Sequence, residues 1–447
     1  MAPRRFPAGF LWGTATSAHQ VEGGNTNQWS EWERQLGHIW RGQRSGDACN
    51  WWRDAEADFD RAAALGQNAH RLSIEWSRIE PSEGTFDQHA LERYRQMLRG
   101  LRQRGIEPMV TLHHFTDPLW LANDGGWLDA RTPARFARFA EHAVRALGDL
   151  CSLWCTINEP VICATQGYLN GEFPPGMRDI GATLQVVRNM LLGHAAAATA
   201  IRNISPLHRV GLVHHVRPLD PASLSPLDFA VSALYDYLFN GVVIEALRTG
   251  RIPPPLASGI RSTPGLAGSC DFFGLNYYTR EHVAFDLGAA AALFGRHFTP
   301  PHALQSDAGK AGATYGEIYP TGLYRALKRA QRLGVPIYIT ETGLPDADDD
   351  VRPQFLLDHL AAVHRAIEHG IDVRGFFVWS LIDNFEWAEG WGLRFGLYAV
   401  DETTQQRTLR PSGALYAAIA RANAIPGCDA PIVRPLDDGA MIAVSPA

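Results

Sequence analysis

Two glutamates stand at the ends of two apolar runs of the same design, far apart in the chain. Glu341 closes Tyr338–Ile339–Thr340–Glu341–Thr342–Gly343, where Val335 to Thr340 reads as a short buried strand after a helical segment ending at Gly334. Glu159 closes Leu153–Trp154–Cys155–Thr156–Ile157–Asn158–Glu159–Pro160 in the same way, and Pro160 blocks a regular continuation. A carboxylate at the end of an apolar strand is costly to bury without partners, so one such residue alone reads more readily as a solvated strand terminus. Two of them supply what cleavage of a glycosidic bond requires, one carboxyl as acid and one as nucleophile.

The elements that must position these groups alternate along the chain. Strands are expected at Gly9–Ala15, Asn68–Ile74, Pro108–Leu112, Leu153–Asn158, Val210–Val213, Asp271–Leu275, Val335–Thr340 and Gly375–Trp379. Helical apolar spacing falls between them, for example at Leu91, Tyr94, Leu98 and Leu101, or Leu356, Leu360, Val363 and Ile367. Eight strand-then-helix units imply a parallel sheet closed into a (β/α)8 barrel, an α/β fold with its active site at the C-terminal ends of the strands. Gln20, Arg71, His114, Glu159, Tyr278, Glu341 and Trp379 all fall there, with the two glutamates on strands four and seven. A long Ala/Gly/Pro-rich segment, roughly 286–319, is expected to be a functional or mobile loop.

No composition break marks a linker, so one catalytic domain is expected over 1–447, with an N-terminal arm at 1–8 and a C-terminal tail at about 424–447. The net charge of −6 argues against a nucleic-acid partner. No apolar h-region follows Arg4 and Arg5, and no apolar run approaches the ~20 residues of a membrane span. The cysteines at 49, 151, 155, 163, 270 and 428 show no metal-type spacing, which fits a reduced, cytoplasmic protein. The histidine pair 214–215 is not read as a metal site, because adjacent strand residues point to opposite faces. Trp12, Trp51, Trp52 and Trp154 are expected in the core.

The segments FLWGTATSAHQVEG (10–23), HRLSIEWSRIEP (70–81), TLHHFTDPLWL (111–121), TINEP (156–160), DFFGLNYY (271–278), YITETG (338–343) and FVWSLIDNFEWAEGWGLRFG (377–396) occur in this order. Together they resemble glycoside hydrolase family 1, the β-glucosidase family, from Phe6 to about Ala420. The resemblance implies Glu159 as acid/base and Glu341 as nucleophile, with Arg71 and Tyr278 supporting the nucleophile. It implies Gln20, His114, Asn158, Trp379, Glu386 and Trp387 as sugar-binding residues, Asn158 at the 2-hydroxyl. The activity implied is retaining hydrolysis of terminal β-D-glucosyl residues from cello-oligosaccharides and aryl or alkyl β-glucosides, with β-galactosidase and β-fucosidase side activity.

Two-carboxylate chemistry requires no cofactor and no metal, and the partner expected is a small-molecule β-glucoside. Glu386 stands where members specialised for 6-phosphorylated sugars carry serine, and a carboxylate there would repel a phosphate dianion. A non-catalytic sugar-binding member would be expected to have lost Glu159 or Glu341, and neither is lost; a transglycosylase would share every catalytic residue. Thr342 replaces the asparagine usual after the nucleophile, and Val161 replaces a common tryptophan. For the leaving-group side the candidates are Tyr168, Asn170, Phe173 and the loop around 294–298. His113 is expected to pack, Glu75 to be a structural carboxylate, and Glu80 to be a loop charge; no partner is implied for either glutamate.

Overall fold

The computed structural model describes residues 3–259, 261–307, 315–426, 432–435 and 441–444. Eight strands form a closed barrel in chain order: β1 (Leu11–Ala15), β2 (Ala69–Ser73), β3 (Glu107–His113), β4 (Leu153–Asn158), β5 (Arg209–His215), β6 (Phe272–Asn276), β7 (Ile337–Thr342) and β8 (Val373–Trp379). Each pairs in parallel with the next, and β8 returns to β1, Gly375 against Leu11 through Trp379 against Ala15. The principal helices outside it are α1 (Trp51–Ala64), α2 (Gln88–Gln103), α3 (Thr132–Leu147), α4 (Ile180–Ile204), α5 (Val242–Thr249), α6 (Pro320–Ala330), α7 (Arg352–Glu368) and α8 (Pro411–Ala422). The eight expected units are present, with strand bounds shifted by a few residues at most.

Parallel strands covered by helices are apolar on both faces. Ala15, Met109, Cys155, Val213 and Phe377 fill the barrel interior. Trp12, Trp51, Trp154, Tyr94 and Phe136 belong to the larger layer between barrel and helices. Each large apolar side chain buried in this way contributes about 1.5–3 kcal/mol. Trp52 sits at the edge of this layer: it is half-buried, packs against Tyr94 and lies 3.9 Å from the Arg78 guanidinium.

The ladder is irregular where it matters for chemistry. Register shifts occur between Cys155 and Asn158 on β4, at Leu275/Asn276 on β6 and between Ile339 and Thr342 on β7. A bulge re-aims the side chains beyond it, and these three lie at the strand ends that carry Glu159, Asn276 and Glu341. Gly343 follows because nothing larger fits: a Cβ there would sit 2.0 Å from the Trp379 carbonyl oxygen.

Several peripheral expectations change. Arg4–Arg5 of the arm pairs antiparallel with Ala424–Ile425 at the start of the tail. Ile432–Pro435 pairs with Met441–Val444; the rest of the tail, Cys428 included, lies outside the described residues. The segment at 286–319 is not one open loop. Its strand Gly295–Phe298 pairs antiparallel with Glu281–Phe285, and residues 308–314 lie outside the described set. Contrary to the expectation of no long apolar run, Pro226–Thr249 is long and apolar enough by length and composition to cross a membrane, with mean hydropathy 1.3. Asp228, Asp236, Glu245 and Arg248 interrupt it in sequence. In the fold a π-turn at Tyr237–Gly241 divides it.

Candidate active site

At the C-terminal end of the barrel lies a cavity of about 360 Å³, within the range of small-molecule sites. His114, Asn158, Glu159, Tyr278, Glu341, Trp379, Glu386 and Trp387 all line it. Arg71 and Gln20 are fully buried behind this lining.

Glu341 is clamped on both oxygens. The Arg71 guanidinium donates to Oε1, and the Tyr278 hydroxyl donates to Oε2 at 2.7 Å. Burial, with the Glu341 charge beside it, holds the Tyr278 phenol well above its ordinary range, so it stays a donor. Charge-assisted bonds of this kind are strong and fix the orientation of the carboxyl group. Arg71 comes from the middle of β2, and its Nη2 also donates to Asn158 Oδ1 at 2.7 Å while Nε donates to Thr111 at 3.0 Å.

Glu159 has a different environment. Asn276 Nδ2 donates to its Oε1 at 2.7 Å and also lies 3.2 Å from Asn158 Oδ1. Asn276 is itself fixed by the Thr340 hydroxyl, which donates to Oδ1 at 2.7 Å. The two glutamates are therefore joined through one continuous chain, Glu341–Arg71–Asn158–Asn276–Glu159. Burial, and then the Glu341 charge, push the Glu159 carboxyl up to about 8. Glu159 is held protonated beside a second carboxyl that is gripped by a guanidinium and a phenol, an arrangement suited to acid-assisted nucleophilic displacement.

The remaining wall is aromatic and polar. Glu386 accepts from Gln20 Nε2 at 3.1 Å and from the Trp379 indole at 3.4 Å; burial raises its carboxyl to about 8. Gln20 is held in turn by Asn384 and the Phe385 carbonyl. The His114 ring is stacked against Trp379 and Trp387. Its Nε2 is 3.2 Å from Asn158 Nδ2, and burial keeps it neutral. Planar amides, an imidazole and a carboxylate beside flat indoles offer paired hydrogen bonds and an apolar plate, a combination suited to a sugar ring. Three non-glycine residues of the lining have left-handed backbone: Glu159 (φ 46°), Phe115 (φ 68°) and Trp387 (φ 51°).

Every residue singled out for the two carboxylates and for sugar contact falls in or directly behind this cavity. Other expectations need correction. Glu80 is not a loop charge: it is fully buried, accepts from the Trp76 indole at 2.8 Å and the Gly84 amide at 2.7 Å, and pairs with Arg138. Glu75 is buried as expected but has partners, Ser77 at 2.7 Å and Thr116 at 3.0 Å. On the leaving-group side Phe173 and Gln166 line the cavity. Tyr168 instead packs into the core, Asn170 bonds Gln166 on the surface, and Phe294 stacks on Phe285. His113 is buried against Asp117 and Trp127, a packing role. Thr342 is buried with its hydroxyl unpartnered.

Sequence reasoning missed Asn276, His215, Arg217 and Tyr315. Asn276 ends a strand beside Tyr278, which was a usable signal; Tyr315 follows a segment of no recognisable pattern. Among the described residues one acidic cluster, Asp346, Asp348 and Asp350, brings carboxylate oxygens within 4.8 Å of one another. Asp346 already accepts from the Val351 and Arg352 amides, and none of the three lines the cavity.

Residues 2–425 match the family model of glycosyl hydrolase family 1. The chain is 32% identical to β-glucosidase A of Thermotoga maritima, over 95% of this chain and 100% of that one. It is 31% identical to a β-galactosidase of Pyrococcus woesei, over 91% and 94%. Among solved structures, a β-glycosidase from Pyrococcus horikoshii superposes with a TM-score of 0.87 at 38% identity, covering 95% of this chain and 97% of that one. The Thermotoga maritima β-glucosidase in complex with glucoimidazole gives a TM-score of 0.86 at 31% identity, covering 94% and 99%.

Proposed function

The chain belongs to glycosyl hydrolase family 1, and on that premise we propose that this glycoside hydrolase is a retaining β-glucosidase. It removes terminal β-D-glucosyl residues from cello-oligosaccharides and aryl or alkyl glucosides, with β-galactosidase and β-fucosidase side activity. The observation that carries the proposal is the asymmetry of the two carboxyls, Glu341 clamped by Arg71 and Tyr278, and Glu159 buried and raised to about 8.

In the first step a Glu341 oxygen attacks the anomeric carbon while Glu159 gives its proton to the departing glycosidic oxygen. The product is a glycosyl ester on Glu341, and the aglycone leaves neutral. Esterification removes the Glu341 charge, so the Glu159 carboxyl falls and is ionised. It then takes a proton from water as the water oxygen attacks the anomeric carbon from the opposite face. Glucose leaves with its β-configuration, and both carboxyls return to their starting states. Asn158, oriented by Arg71 and Asn276, is placed beside the acid where a sugar 2-hydroxyl would bond, and that contact strengthens in the transition state. Glu386 and Gln20 read the far hydroxyls of a free hexose. A relative named β-galactosidase supports the side activity.

The test is release of 4-nitrophenol from its β-glucoside by wild type, Glu341→Gly and Glu159→Ala, with and without azide. Glu341→Gly should be almost inactive alone and yield α-glucosyl azide when azide is added. Glu159→Ala should yield the β-azide, because azide attacks the intermediate without needing a base. The same anomer from both variants would overturn the role assignment. Wild type inert on glucoside, galactoside and fucoside alike would overturn the substrate class.

A further inference from the structure

His215, the last residue of β5, reaches into the cavity beside the acid. Its neighbour across the ladder is Asn276, the residue that donates to Glu159 Oε1 at 2.7 Å. His215 Nδ1 lies 3.6 Å from that same oxygen, a few tenths of an ångström beyond hydrogen-bond reach. Its Nε2 is buried with no hydrogen-bond partner. We propose that His215 is a positioning residue for the acid/base, its Nδ1–H being the donor that Glu159 takes up each time it ionises. The proposal deepens the reading of Glu159 given above and rests on it.

A neutral imidazole carries one N–H, and its position follows from the partners available. A proton on Nε2 would be a buried donor facing nothing. On Nδ1 it faces a carboxyl oxygen. Burial keeps the ring neutral, well below the ordinary imidazole range, so His215 keeps its single proton throughout and adds no charge.

While Glu159 is protonated, Asn276 alone satisfies Oε1. Once the proton has gone to the leaving group, a full charge sits on a carboxylate that has lost most of its water, and a second donor gains value. Closing the gap requires a shift of about 0.7 Å to reach a normal N–H···O length.

Other charged and titratable groups surround the pair, and Glu172 and Glu389 also line the cavity. Arg71 of β2, Glu341 of β7 and Arg217 beyond β5 bear on the Glu159 charge, and Arg217 is itself paired with Glu281. Tyr278 packs against the His215 ring at 5.6 Å and Phe239 at 5.8 Å, while His214, also against Phe239, is not part of the cavity lining. Tyr315 and Glu386 line the same cavity, and burial keeps both neutral over most of the working range. Among the described residues, Asn276 is the donor bonded to Glu159, and His215 is the one placed to join it.

The test compares His215→Leu with His215→Asn, whose amide keeps an N–H close to the place of Nδ1. Two pH profiles are needed. With 2,4-dinitrophenyl β-glucoside the departing phenolate needs no acid, so kcat reports hydrolysis of the glycosyl ester, and its acidic limb follows Glu159 as base. With an alkyl β-glucoside the basic limb of kcat/KM follows Glu159 as acid. Losing a donor to the anion moves both limbs to higher pH, by roughly half to one unit in His215→Leu, and His215→Asn restores them. Added azide should lift kcat of His215→Leu at low pH, since azide needs no base.

Limbs that stay in place, or leucine and asparagine variants that behave alike, would overturn the proposal. His215→Val gives the same comparison should the leucine variant not fold. Glu159→Ala, run beside them, separates the two readings. If that variant keeps wild-type kcat/KM on the alkyl glucoside, the assignment of Glu159 has failed, whatever His215 does.

Discussion

Neutralising Glu341 should pull the Glu159 carboxyl down, but only part of the way to an ordinary glutamate. Its value of about 8, against 4.5 for an unperturbed group, has burial as its largest cause and the Glu341 charge as the next. Two unit charges at the ~5.5 Å spacing of a retaining pair repel by about 3 kcal/mol at an effective dielectric of ~20, which is about two pH units. Substituting Glu341→Gln removes that repulsion and leaves burial, Asn276 and Arg71 in place, so Glu159 should titrate near ~6. This is the state the glycosyl ester creates, and a carboxyl near that value is mostly ionised at neutral pH and ready to act as base. The assay is a carbon-13 carboxyl titration of glutamate-labelled protein, with the Glu159 signal assigned by its absence in Glu159→Gln. Glu386 is an internal control: Glu341 is a smaller cause of its rise, so it should move less. A Glu159 that still titrates at about 8 in Glu341→Gln would mean the two carboxyls do not communicate. One that drops to 4.5 would mean burial contributes nothing. Either result would refute the reasoning.

Two further outcomes concern stability. Glu80→Ala strands the Trp76 indole, the Gly84 amide and Arg138, and urea unfolding should show a loss of about 3 kcal/mol. Glucosidase kcat/KM should change by less than about twofold, since Glu80 does not line the cavity; a large loss of activity without loss of stability would contradict this. Glu22, raised to about 7, and Glu159 and Glu386, raised to about 8, hold protons in the native state that the unfolded chain releases. Their contribution is complete below the unfolded value near 4.5 and is lost as pH rises through 7 and 8. Buried His70, His194 and His214, lowered to about 3, act in the opposite sense only below about 6.5. From pH 6.5 to 8.5 the unfolding free energy should therefore fall by on the order of 4 kcal/mol, and a flat urea midpoint over that range would exclude it.

What the sequence disclosed was what local pattern can carry. Apolar strands ending in Glu159 and Glu341 were legible, because period and strand-end chemistry are both local. The eight-fold alternation then placed Arg71, His114 and Tyr278 on the same rim. Glu80 was misread because an acid after a short helix looks solvated, whereas its partner Arg138 lies on α3, far along the chain. His215 was set aside as a metal ligand and missed as a neighbour of Glu159. Alternation says that residues 214 and 215 face opposite ways but not which of them faces the cavity. Tyr168 and Asn170 failed for a related reason. They lie in the π-turn Thr165–Asn170, and nothing in the local sequence announces that wider turn or which way its side chains face. Asn276 carries no charge, and its importance appears only when β6 is seen lying between the strands of His215 and Glu341.

The left-handed backbone at Glu159, Phe115 and Trp387 has a bearing on how this protein would respond to selection. Each non-glycine residue held in that region costs roughly 1–3 kcal/mol, so the catalytic rim is a standing load that the packed barrel beneath it must carry. Glycine at position 159 would relieve part of that load and remove the acid in one substitution. A library screened for heat resistance alone would therefore enrich changes at the rim and return sturdier proteins that no longer turn over substrate. Stabilisation that preserves activity has to come from the packed interiors of the helices and from the layer between them and the barrel, away from the catalytic rim.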